Sequence, residues 1–118
     1  MRKTTSDFEI DFFERLVREK KDFVDALIPL AEAYTRKGLY RKGLTIDRRL
    51  ARLLKDDPIV HYNLACSLSL VGETDKAIKS LRKAIECGYD DLEHLEKDPD
   101  LKSLHRHPEF KQILMLLL

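Results

Sequence analysis

The chain predicts an all-α fold of stacked helix–turn–helix units, and three observations carry that expectation. Gly38 and Gly72 lie 34 residues apart, and the chain around them repeats in register: Leu30-Ala31 recurs as Leu64-Ala65, Tyr34 aligns with Leu68, Gly43 with Ala77 and Leu50 with Ala84. Between these markers the apolar residues recur at helical spacing. Hydrophobic residues make 43% and charged residues 36% of the chain, with only four Gly and four Pro to interrupt it, a balance suited to amphipathic helices. A fixed period of this length describes one helical hairpin, which buries its apolar face only by stacking on a neighbour.

The elements follow in order. Ser6 or Asp7 is an expected N-cap for a helix over 7–20, with Phe8, Phe12 or Phe13, Leu16 and Val17 at helical spacing. One period before Gly43 and Leu50 lie Glu9 and Leu16, so this helix is in phase with the second helix of a unit whose first helix is missing. It is expected to be an N-terminal cap. The first full unit covers 24–57. Its opening helix ends at Gly38, a residue able to turn left-handed. Pro29 removes a backbone bond to Asp25 and predicts a bent or late-starting helix. The second helix, YRKGLTIDRRLARLLK, places Leu44, Leu50, Leu53 and Leu54 in one apolar stripe.

The second unit covers 58–91. Asp57-Pro58 supplies a cap followed by proline at the first helical position. Gly72 ends one helix, Thr74 is expected to cap the next without a full capping box, and Gly88 ends it. Leu64, Leu68, Ala77, Leu81, Ala84 and Ile85 are the expected seam. Beyond Gly88 the period fails, and 92–118 reads as a C-terminal cap. Two short helical turns break at Asp98-Pro99, with Leu92, Leu95, Leu101 and Leu104 turned inward, and a last helix follows Pro108. At 118 residues the whole is expected to form a single domain.

These residues resemble the tetratricopeptide repeat. Unit one reads Leu27-x2-Leu30-Ala31-x2-Tyr34 and then Gly43-x3-Asp47; unit two reads His61-x2-Leu64-Ala65-x2-Leu68 and then Ala77-x3-Leu81 and Ala84. Asp47 departs from the pattern, which has a bulky apolar residue there, and the closing proline is displaced to Pro58. The segment after Gly88 also looks like a tail that closes some bacterial-type members. The resemblance implies two full repeats between capping helices in a right-handed superhelix. It also implies a concave groove, lined by first helices, that holds a peptide or protein partner. By position that groove takes Ile28, Glu32 and Arg36 (beside Asp25 and Thr35) from unit one, and Ile59, Tyr62, Asn63, Cys66, Ser69 and Leu70 from unit two. A clamp for C-terminal carboxylates, known in one subgroup, is not expected. Only Asn63 matches it, and Glu32 and Glu93 would repel an anion.

Other functions find less support. There is no Gly-rich phosphate loop and no nucleophile elbow, so no catalysis and no cofactor are expected. His94, His105 and His107, near Asp98 and Asp100, lack the helix-borne spacing of a zinc site, and no metal is expected. Cys66 and Cys87 read as packing residues in a reducing cytoplasm. No stretch approaches the roughly 18 apolar residues of a membrane span, and the start carries no secretory signal. Net charge is +1, but it is unevenly placed. Arg36, Lys37, Arg41, Lys42, Arg48, Arg49, Arg52 and Lys55 face one acid, Asp47, whereas Glu86, Asp90, Asp91, Glu93, Glu96, Asp98 and Asp100 face Lys97. An alternative reading is therefore RNA binding through 36–55, disfavoured because those cations sit mainly on a second helix. Another is self-assembly through the apolar run ILMLLL, which gives a monomer or weak homodimer.

Overall fold

The structure, a computed structural model, describes residues 4–118, which are helical or turn with no strand among them. The chain divides into two compact units, Met1–Lys55 and Asp56–Leu118. No helix among the described residues is long and apolar enough to cross a membrane.

The first unit holds α1 (Thr5–Glu19), α2 (Val24–Arg36) and α3 (Tyr40–Leu53). Thr4, not Ser6 or Asp7, is the N-cap of α1. Its hydroxyl accepts from the Asp7 N–H at 3.2 Å, and its own N–H donates to Asp7 Oδ2 at 2.9 Å. The polar first turn hid this cap, because the apolar pattern begins only at Phe8. Asp7 also meets Lys37 Nζ at 2.8 Å. The Lys37 bond, together with those from Thr4, holds its carboxyl at about 2. α1 lies against α2, where the Tyr34 hydroxyl donates to Glu14 and Arg36 pairs with Glu9 at 2.6 Å.

α2 starts at Val24, so the late start expected from Pro29 is not seen. Pro29 is the sixth residue of the helix, and the bond it deletes falls on the carbonyl of exposed Asp25. Gly38, at φ +83°, ends the turn after α2. The Gly38 N–H donates to Thr35 O at 3.0 Å and the Leu39 N–H to Tyr34 O at 2.8 Å. α3 then returns along α2. A Cβ on Gly43 would lie 3.2 Å from Thr35 Oγ1 and 3.7 Å from Ala31 O, which is why the smallest residue sits at that crossing. Leu27, Leu30, Ala33, Leu44 and Leu50 are buried, but Leu53, expected in the apolar stripe, is exposed at the end of α3.

The second unit holds α4 (Pro58–Leu70), α5 (Thr74–Glu86), α6 (Leu92–Lys97), a 3-10 helix (Pro99–Leu104) and α7 (Phe110–Met115). Asp57 caps α4 as its sequence indicates, accepting from the Ile59 and Val60 N–H groups at 2.9 and 3.2 Å. The turn after α4 repeats the one after α2. Gly72 has φ +84°, its N–H donates to Ser69 O at 3.1 Å, and the Glu73 N–H donates to Leu68 O at 2.9 Å. Each bond recurs one period on. The same register makes Glu73, the counterpart of Leu39, the N-cap of α5. Thr74 is the first helical residue rather than the expected cap, and no side chain closes that end.

Gly88 turns left-handed in its place, at φ +114°. The following segment folds back, the 3-10 helix onto α4 and α7 onto α5. Leu81, Leu95, Leu101, Leu104 and Ile113 are fully buried. Leu64 and Ile85, expected in the seam, are half-buried.

Candidate functional site

The residues expected to line a groove separate into an open set and a covered set. On α2, Ile28, Glu32 and Arg36 follow one another a turn apart, and all three are exposed. The Arg36 guanidinium is steadied by Glu9. On α4, Ile59 is 55% exposed, and Asn63 and Leu70 are half-buried. Tyr62, Cys66 and Ser69 are buried. The face of α4 expected to be open is thus covered by residues 98–104. The Tyr62 hydroxyl donates to Asp98 Oδ2 at 2.6 Å, and the Cys66 thiol approaches the same oxygen at 3.7 Å. Ser69 Oγ meets Ser103 Oγ at 2.6 Å, and Ser103 Oγ also donates to Ser69 O at 3.2 Å.

The cause of this cover is local. Asp98 Oδ1 accepts from the Asp100 N–H at 3.0 Å and so caps the 3-10 helix. That helix carries Leu101 and Leu104 onto α4. An Asp-Pro pair of the kind that starts α4 thus starts the covering segment as well. Its sequence signal was legible as a helix break at 98–99, but the destination of the carboxylate, 36 residues away on Tyr62, was not.

Asp98 is the centre of a polar cluster. His94 Nε2 lies 3.3 Å from Asp98 Oδ2. The Tyr62 ring stacks on Tyr89 with centroids 4.3 Å apart and 5° between planes, and lies 5.5 Å from His94. Burial, and then the charges of Asp98 and Asp100, push the Cys66 thiol up. Burial and then the bond to Asp98 push Tyr62 up, and burial raises Tyr89 to about 12. Burial and then Asp98 also raise the Asp100 carboxyl. Ligand atoms of Cys66, Asp98 and Asp100 lie within 4.8 Å of one another. A cation there would have to displace the proton of the buried Cys66 thiol. As it stands, the cluster fastens the tail to α4.

The three histidines weighed as ligands do not converge. His94 faces Asp98, and His105 lies beside Phe110 with ring centroids 5.0 Å apart. His107 Nε2 meets Asp75 at 2.8 Å while its Nδ1 accepts from the Glu109 N–H at 3.1 Å. Much of the basic run 36–55 is engaged within its own unit. Arg36 pairs with Glu9, Lys37 with Asp7, Arg49 donates to Lys21 O at 3.3 Å, and Lys42 sits 5.7 Å from the Tyr34 ring centre.

No family model matches the chain. Over 107 residues it is 25% identical to a chloroplastic protein of Arabidopsis thaliana, an alignment that covers 86% of this chain. The chain spans 30% of the length of that relative.

Proposed function

We propose that the chain is a non-catalytic interaction adaptor of the tetratricopeptide kind, holding a peptide or protein on the outward stripe of α2. The observation that carries this reading is the exposure of Ile28, Glu32 and Arg36 in successive turns of one helix. They present an apolar contact beside charged ones on a rigid support, the arrangement that anchors a partner and orients it. The recurrence of the Gly38 turn, bond for bond, at Gly72 supports the repeat reading. So does the burial of Gly43 and Ala77 where paired helices approach. Of the α4 set, Ile59, Asn63 and Leu70 remain within reach of solvent.

A catalytic reading has little to build on in the Asp98 cluster, since a buried thiol kept protonated is a poor nucleophile. In our reading the chain resides in the cytoplasm, with Cys66 and Cys87 as packing residues. Internal pairing of Arg36, Lys37 and Arg49 weakens the case for a polyanion track along 36–55.

The test is cross-linking of the full chain in its native extract, wild type against Ile28→Ser combined with Glu32→Lys. These positions are exposed, so the double variant should keep its helicity and lose its cross-linked partners. An unchanged set of partners would reject the α2 surface. Loss of affinity by orders of magnitude on modest salt addition would replace the protein partner with a nucleic acid.

A further inference from the structure

We infer that Cys66, His94, Asp98 and Asp100 form a site for a thiophilic divalent cation of the zinc type, one that clasps the tail to α4. Cys66 stands on α4, His94 and Asp98 lie one turn apart at the end of α6, and Asp100 follows in the 3-10 helix. Ligand atoms of the cysteine and both aspartates fall within 4.8 Å of one another. His94 Nε2 joins them, 3.3 Å from Asp98 Oδ2. A thiolate, an imidazole and two carboxylates make a set of four that zinc accepts. Their spacing along the chain matches no zinc motif, because the tail brings its ligands to α4 only by folding back.

Two edges of the tetrahedron are nearly in place. Zinc bonds are about 2.3 Å to sulfur and about 2.0 Å to oxygen or nitrogen. At tetrahedral angles they set sulfur about 3.5 Å and nitrogen about 3.3 Å from a shared oxygen. Asp98 Oδ2 stands 3.7 Å from Cys66 Sγ and 3.3 Å from His94 Nε2. Asp98 can serve as a ligand and keep its present bonds. Its Oδ2 has a second lone pair for the Tyr62 hydroxyl, and Oδ1 retains the Asp100 N–H. Bonds of this kind orient a ligating carboxylate.

The surroundings favour a cation. Among the described residues, the basic group paired with either carboxylate is His94, which is charged only when protonated. Tyr89 is an independent sign. It is 6% exposed, its ring lies flat on that of Tyr62, and Cys66 and Asp98 both act on its hydroxyl. That hydroxyl has no hydrogen-bond partner among the described residues, although a buried donor is normally satisfied. Metal binding converts the Cys66 thiol into a thiolate and releases its proton. A thiolate is the stronger acceptor for such a donor. His94, more than half exposed, opens the site to solvent.

Cobalt(II) titration of the reduced, chelator-treated full chain tests the inference. An equimolar amount should produce the near-ultraviolet charge-transfer band of a cobalt–thiolate bond. Equimolar zinc should bleach that band, and a large excess of magnesium should not. Cys66→Ser should abolish it, whereas Cys87→Ser should retain it. Asp100→Ala and His94→Ala alter side chains outside the core, so helicity should be kept while each weakens cobalt binding at least about 10-fold. The inference fails if cobalt produces no band. It fails equally if the band survives Cys66→Ser, disappears with Cys87→Ser or yields to magnesium, or if neither Asp100→Ala nor His94→Ala weakens binding.

Discussion

Asp98 shows how much one side chain can decide. Its two oxygens cap the 3-10 helix and receive the hydroxyl of Tyr62. A residue in the segment between Gly88 and Leu104 therefore fixes which face of α4 meets solvent. Tyr62→Phe keeps the ring stacked on Tyr89 and removes the donor. Urea denaturation is expected to show a loss of about 1–3 kcal/mol, since a buried carboxylate is left short of a partner. A stability equal to wild type would mean that the Tyr62–Asp98 bond is not formed in solution. Tyr62→Ala, by the same geometry, would damage the fold as well as any contact surface. The sequence pointed to Tyr62 through the position it occupies in a repeat. It could not show that a segment 36 residues downstream would cover that position, because side-chain pairing at such separation leaves no periodic trace.

The elements themselves were more legible. Gly38 and Gly72 follow helices where their spacing indicated, Gly88 follows one outside that period, and all three have positive φ. Helix starts were harder to place. Asp57 was found because proline follows it, but Thr4 was missed, and α5 has no side-chain cap to find. A left-handed turn demands one residue type, whereas an N-cap is shared among several and can be omitted when packing holds the helix. The glycines permit a paired test. Gly38 and Gly72 have φ of +83° and +84°, and an added Cβ at either would meet nothing within 4 Å. Only the backbone term remains. Gly38→Ala and Gly72→Ala should each cost about 1–2 kcal/mol, and by nearly equal amounts. Unequal losses in chemical denaturation would show that the two turns are not equivalent in solution.

Across the whole molecule the shifted groups give a direction to alkaline unfolding. Cys66, Tyr34 and Tyr62 are pushed up, chiefly by burial, and Tyr89 stands at about 12. Above about pH 8.5 the unfolded chain begins to lose the Cys66 proton, and above about pH 10 its tyrosine protons. The folded chain still holds them. The unfolded state then binds fewer protons, so stability falls as pH rises. The melting temperature is expected to decline from about pH 8.5 upward. In Cys66→Ala the onset should move to about pH 10, where the tyrosines begin. An onset unaffected by that change would place the Cys66 thiol in contact with water. At the acid end the sign reverses. Asp7, held at about 2 by Lys37 and Thr4, contributes above the ordinary carboxylate range, and that contribution is lost as pH falls toward 2.

The tail pinned along α4 also limits growth. A further hairpin stacked after Gly88 would need the flank that Leu101 and Leu104 already occupy. In polymer language, residues 98–104 act as a stopper on that flank of α4.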